Sequence, residues 1–213
     1  KLNVLKEFYT TPRLAMDLND GGGPFGFDIH KAYEVCTLIN DIDASFIIET
    51  GSNTGDTTEF LAKLYPTKTI ITCDINNNYF NFAKERLAKY RNVTVHNVSS
   101  VYLINNIKYP KDTLFYLDAH ENGMELPLRQ EIKSIKHGII AIDDFNINAP
   151  GYAYEPEINI DCIKGTDDVY TNNPLAKYPF PLLQRSRRCG RAYTTKKVKA
   201  NWNHEIFKKL CKS

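Results

Sequence analysis

The sequence predicts an α/β domain. Its sheet is mostly parallel, with helices on both faces and an antiparallel hairpin at the C-terminal end. Three observations carry this expectation. Between about residues 30 and 145, short apolar runs alternate with stretches of helical periodicity, the rhythm of parallel βαβ units. The runs are near-continuous in Ile, Leu, Val and Phe, as strands covered on both faces require. Four of the five runs end in acid, at Glu49, Asp74, Asp118 and Asp143-Asp144. That is the carboxyl edge of the strands, where open α/β sheets bind their ligands.

The glycine-rich Gly21-Gly22-Gly23-Pro24-Phe25-Gly26 reads as a mobile, lid-like segment before a helix over 28–40. Phe46-Ile47-Ile48 is the first strand. Phe60, Leu61 and Leu64 give helical spacing to 54–65, which stops at Pro66. Residues 69–73 form the second strand, and 77–90 a helix with Phe80, Ala83, Leu87 and Tyr90 on one face. Strands follow at 93–95 and 114–117. A helix over 125–137 carries Leu128, Ile132 and Ile135, and 139–142 is the fifth strand. The stretch 146–180 is a loop-rich insertion with one helix near 158–170. Residues 182–188 and 191–197 flank Cys189-Gly190 as a hairpin, which brings the sheet to seven strands. A short helix is expected over 203–212.

At 213 residues one domain is expected. The chain is 42% hydrophobic and 24% charged, which excludes disordered and collagen-like classes. No run approaches the roughly 18 apolar residues of a membrane helix. The opening Lys1-Leu2-Asn3-Val4 is no apolar leader. The five cysteines contain no Cys-x-x-Cys pair, which argues against a disulfide scaffold or structural zinc and for a reducing, cytoplasmic setting. The net charge of +2 hides an asymmetry. Residues 177–213 hold 11 of the 27 basic residues and one of the 25 acidic ones, +10 against −8 for the rest. Such a tail binds an anionic partner or docks on its own body. Within it, Arg185, Arg187, Arg188 and Arg191 read either as a solvated hairpin face or as a phosphate- or carboxylate-recognising set.

Three constellations carry chemistry. Glu49-Thr50-Gly51-Ser52-Asn53-Thr54-Gly55-Asp56 joins a strand to a helix. Gly51 permits a tight turn and close approach of a ligand, and Gly55 close packing of helix on strand. The carboxylate before the turn repels a pyrophosphate, and the spacing is not that of a dinucleotide loop. Asp74, 23 residues after Gly51, can accept hydrogen bonds from both hydroxyls of a ribose, or can serve as a helix N-cap. Asp118-Ala119-His120-Glu121 and Asp143-Asp144 bring three carboxylates to the ends of two strands expected to be neighbours. Unpaired they would repel, and a hard divalent cation such as Mg²⁺ would relieve that; separate caps and surface acids are the plainer alternative. His120 has an ordinary pKa of about 6.5, suited to removing a proton near neutrality.

Residues 30–145 resemble the class I S-adenosylmethionine-dependent methyltransferases. Glu49-x-Gly51-x-x-x-Gly55 is similar to their first motif, and Asp74 to their acidic second motif. The resemblance implies a Rossmann-like three-layer sandwich. It also implies cofactor contacts from Glu49, Gly51, Ser52, Asn53, Gly55 and Asp74, with Asn97, Val98 and Ser99 near the adenine. Asp118, Asp143 and Asp144 resemble the Mg²⁺ ligands of metal-dependent O-methyltransferases of the catechol and antibiotic-sugar types. The catechol type has a lysine where this chain has Glu121, so the resemblance favours the sugar type.

The expected protein is thus a single domain. It comprises an N-terminal helix and lid (1–45), a cofactor-binding core (46–145), an acceptor-site insertion (146–180) and a basic hairpin and tail (181–213). The expected activity is Mg²⁺-assisted O-methylation of a sugar or other small hydroxylated acceptor, with His120 or Asp118 as base. The alternatives are a metal-independent methyltransferase on RNA, bound through the basic tail, and a non-catalytic cofactor-binding module. No membrane partner is expected, and a homodimer stays open.

Overall fold

A computed structural model describes residues 2–13, 22–120, 126–180 and 188–210. An N-terminal helix α1 (Leu2–Thr10) precedes α2 (Ile29–Asp41), which is capped by Asp28, whose carboxylate accepts from the amides of His30 and Lys31. The alternation then runs β1 (Phe46–Thr50), α3 (Asp56–Leu64), β2 (Thr69–Cys73), α4 (Asn77–Leu87), β3 (Val93–His96), α5 (Ser100–Asn106), β4 (Thr113–Leu117), α6 (Leu128–Ser134) and β5 (Gly138–Ile142). Three short strands follow: β6 (Tyr170–Asn172), β7 (Ala192–Lys196) and β8 (Phe207–Lys209).

All belong to one sheet of order β3-β2-β1-β4-β5-β7-β6-β8. The first five strands pair in parallel, and β7, β6 and β8 extend the sheet by antiparallel pairing. Because side chains alternate along a strand, each central strand feeds two cores. Ile47, Ile70, Leu114, Tyr116 and Ile139 pack with Phe8, Phe25, Val35, Leu38 and Phe60 from the α1–α3 side. Ile48, Ile71, Phe115, Leu117 and Ile140 pack with Leu103, Ile104, Leu128 and Ile132 of α5 and α6. The three-layer sandwich is therefore as expected.

The C-terminal third departs from expectation. The described sheet has eight strands, not seven. The helix expected near 158–170 is a 3-10 turn, Ile160–Ile163, followed by β6. The helix expected over 203–212 is β8: Phe207 is buried against the rings of Tyr193 and Trp202, and β8 covers the edge of β6. The hairpin's first arm falls largely at 181–187, outside the described residues. Its second arm is β7, inserted between β5 and β6. Nor is the glycine-rich segment, as far as it is described, a lid. Phe25 is fully buried edge-on to Phe60 and Tyr116, and its amide donates to Thr57 Oγ1 at 2.8 Å. Gly21 lies outside the described residues. Among them, no helix is long and apolar enough to cross a membrane.

Candidate functional site

The sheet order reverses between β1 and β4: β2 and β3 lie on one side, and β5 on the other. At such a switch point the loops leaving two adjacent strands diverge and open a crevice. Here they are the glycine loop after β1 and the Asp118 loop after β4. They touch at Gly51, whose φ is +80° and whose place would put a Cβ 2.4 Å from the Asp118 carbonyl oxygen. The requirement for glycine thus comes from the neighbouring strand end. Gly55, at φ +78°, packs on Leu87 and Ala83 of α4, not on a strand.

The rest of the loop is held by Asp74. Its Oδ2 accepts from the Asn53 amide and its Oδ1 from the Asn76 amide, both at 2.8 Å. Asn76, not Asp74, caps α4. The N-cap alternative for Asp74 is therefore excluded, and its carboxylate instead ties the ends of β1 and β2 together. The amides of Gly51 and Ser52 both donate to the Cys73 carbonyl. The Asn97 side chain donates to the Asp74 carbonyl at 2.9 Å. Ser99 is the N-cap of α5, accepting from the Tyr102 amide. Glu49 is buried and accepts from the Thr58 hydroxyl. Burial raises its pKa to about 7 despite that bond.

Asp118, Asp143 and Asp144 follow the paired strands β4 and β5, with His120 between Asp118 and Asp144. His120 Nε2 lies 2.9 Å from Asp144 Oδ2 and 3.8 Å from Asp118 Oδ1. Burial opposes the charge on His120. The Asp144 hydrogen bond and the Asp118 and Asp143 charges outweigh it and bring its pKa up to about 9. Burial and the Asp143 charge hold Asp118 well above the usual carboxylate range. Asp144 moves the other way: its burial is outweighed by the His120 bond and the Lys31 charge.

Two partners were not foreseen. Lys31, on α2, is buried with its ammonium bonded to Asp143 Oδ2. The Tyr116 hydroxyl lies 2.9 Å from the same oxygen and 3.2 Å from Asp118 Oδ2. The signal for Lys31 was present: it sits at i relative to Val35 and Leu38 at i+4 and i+7, on the apolar stripe of its helix. A charged residue on a buried stripe requires a buried partner.

These contacts test the expected Mg²⁺ site, and the residues do not fit it. Among the described residues, the donor atoms that converge within 4.8 Å are those of Asp143, Asp144 and Cys189, not of the three aspartates. Mg²⁺ takes oxygen ligands, and Cys189 offers a sulfur. Asp143 Oδ2 already faces an ammonium and a phenol.

Arg191 also differs from expectation. It is neither solvated nor aimed at an acceptor. Its guanidinium is buried, bonded to both carboxylate oxygens of Glu34 (2.7 and 2.9 Å), to Asp28 (2.8 Å) and to the Cys189 carbonyl (2.6 Å). It clamps the start of α2, and so Lys31, to the segment bearing Cys189. Arg185, Arg187 and Glu121 lie outside the described residues. Beside His120 is a small depression lined by Leu117, Ala119, Leu128, Glu131 and Ile158, to which the insertion contributes Ile158.

No protein family and no curated protein matches the sequence. Solved structures do resemble it. A methyltransferase from Podospora anserina, bound to S-adenosylhomocysteine, superposes with a TM-score of 0.57 at 13% identity, over 92% of this chain and 88% of that one. An S-adenosylmethionine-dependent O-methyltransferase from Thermotoga maritima gives 0.54 at 13% identity, over 79% and 65%. A precorrin-6y C5,15-methyltransferase from Geobacter metallireducens gives 0.52 at 12% identity, over 78% and 88%. At these identities the likeness is one of architecture, and the chain has the Rossmann-like α/β fold of the S-adenosylmethionine-dependent methyltransferases.

Proposed function

We propose that this chain is an S-adenosylmethionine-dependent methyltransferase acting on a hydroxyl of a small acceptor such as a sugar. The observation that carries the reading is a juxtaposition at the switch point. A glycine loop tied down by Asp74 lies beside a cluster in which His120 bridges Asp118 and Asp144.

The residues fit the cofactor. Ser52 Oγ in the glycine loop is buried without a hydrogen-bond partner among the described residues, so it is available to a polar ligand group. Asp74 accepts one amide bond on each oxygen, and a carboxylate has about four acceptor sites, so capacity for ribose hydroxyls remains. Asn97 and Ser99 lie at the adjoining ends of β3 and α5. When bound, S-adenosylmethionine supplies a methyl group on a positively charged sulfur and departs as a neutral thioether.

The chain's own work is placement and proton transfer. Asp118, with its side chain 31% exposed, is the most accessible member of the cluster. It would accept the hydrogen bond of the acceptor hydroxyl. As the new C–O bond forms and the methyl–sulfur bond breaks, the hydroxyl proton would pass to the ionised form of Asp118, whose raised pKa makes it the stronger carboxylate base, while His120, raised to about 9 and so already charged near neutrality, stabilises that carboxylate. Asp144 holds the His120 ring in place. A positioned acid–base group of this kind contributes about 10²–10⁴-fold. The divalent-metal version of the reaction is not carried forward, because the donor set does not fit it.

The test is calorimetric titration of S-adenosylmethionine into the wild type and Asp74→Ala, followed by turnover assays on sugar acceptors. Micromolar binding, weakened at least tenfold by Asp74→Ala, is expected. Absence of cofactor binding would overturn the reading.

A further inference from the structure

We propose that Lys31 is the resident cation of this site: its ammonium, bonded to Asp143, supplies the positive charge that a divalent metal would bring to the Asp143, Asp144 and Cys189 cluster, and methyl transfer proceeds without a metal. The second half rests on the methyltransferase reading; the first does not.

The geometry has three parts. Lys31 comes from α2, in a different layer from the strand ends it meets, and is only 2% exposed. Its Nζ bonds Asp143 Oδ2, an oxygen that also faces the Tyr116 hydroxyl. The donor atoms of Asp143, Asp144 and Cys189 lie within 4.8 Å of one another, the compactness of a metal site. A buried lysine is costly unless it is paired, so a lysine that reaches from another layer into this cluster is there as its counter-charge. A divalent ion bound to the same carboxylates would face that ammonium at contact distance, and like charges in a partly dry site repel strongly.

Placement follows from how the lysine is held. Asp28 caps the first turn of α2, and the Arg191 clamp ties Asp28 to the Cys189 segment. Lys31 therefore enters the cluster from a fixed backbone. It is a positioning residue: it fixes Asp143 and leaves Asp118, with Asp144 and His120 behind it, to face the acceptor.

Mn²⁺ is the probe, because bound and free ion are distinguished by electron paramagnetic resonance. The wild type, Lys31→Met, Asp143→Asn and the double variant would be titrated after chelator treatment. Lys31→Met keeps the side chain's bulk and removes its charge. The expected result is no wild-type binding below millimolar Mn²⁺, at least tenfold tighter binding in Lys31→Met, and loss of that gain in the double variant. Wild-type turnover should survive chelation. Tight wild-type binding abolished by Asp143→Asn would overturn the proposal, as would Lys31→Met binding no better than wild type. If Lys31→Met does not fold, the comparison of wild type with Asp143→Asn decides. S-adenosylmethionine titration of the same samples keeps the two readings apart: failure there sinks the methyltransferase function and leaves the Mn²⁺ result standing.

Discussion

Single residues in this protein are chosen by what lies on the adjoining strand. Gly51 was expected to admit a ligand, but what crowds it is the Asp118 carbonyl. Gly51→Ala should cost about 1–3 kcal/mol for the left-handed backbone alone, with the clash adding to it. A thermal melt that matched the wild type would show that the two loops do not meet as described. The role proposed for His120 lies in chemistry and not packing: its charge supports the Asp118 base. His120→Gln should lower kcat by about 10²–10⁴-fold while S-adenosylmethionine affinity holds, which separates the acid–base cluster from cofactor binding in a single variant.

At the level of elements, the antiparallel strands are fastened to the rest by charge as well as by pairing. Arg191, just before β7, reaches Glu34 and Asp28 at the N-terminal end of α2, and Tyr178 and Tyr193 also donate to Glu34. Breaking such a buried set by removing one partner costs more than the set itself contributes, because the remaining charges are stranded. Arg191→Met should therefore lower stability by about 3–5 kcal/mol in urea unfolding. Lysine should not rescue it, since it cannot make the two-pronged contact with Glu34. A neutral Arg191→Met would mean that the α2 start and the Cys189 segment are not clamped.

For the whole molecule, two buried carboxylates set a pH signature. Burial raises both Glu49, at the end of β1, and Glu131, on α6, to about 7. Both are protonated in the folded protein across a range where the unfolded chain, near 4.5, has released its proton. The folded state then binds more protons than the unfolded state, so these groups make stability fall as pH rises from about 4.5 to 7. The effect is on the order of 3 kcal/mol for each. Glu49→Gln and Glu131→Gln should each flatten that slope, read as denaturation midpoints across the range. An unchanged slope would mean that the two acids are ionised when buried.

The sequence determined the parallel core and the strand ends at which the acids and the glycine loop gather. The strands at 46–50, 69–73 and 113–117 are apolar runs long enough to name themselves, and each is followed by the acid or glycine that forms the crevice. Local periodicity suffices there because a strand buried on both faces must be apolar throughout. It failed for β6 and β8, three-residue strands formed because β7 and β6 offered unpaired edges. Only the tertiary structure decided what neutralises the acids. Composition showed three carboxylates and suggested a metal, whereas the fold brings Lys31 to Asp143 across 112 residues. It likewise withdraws Arg191 from the basic tail into the interior. The physical reason is common to both: a charge buried in a low-dielectric interior is defined by the partner it meets there, and that partner lies far away in the chain.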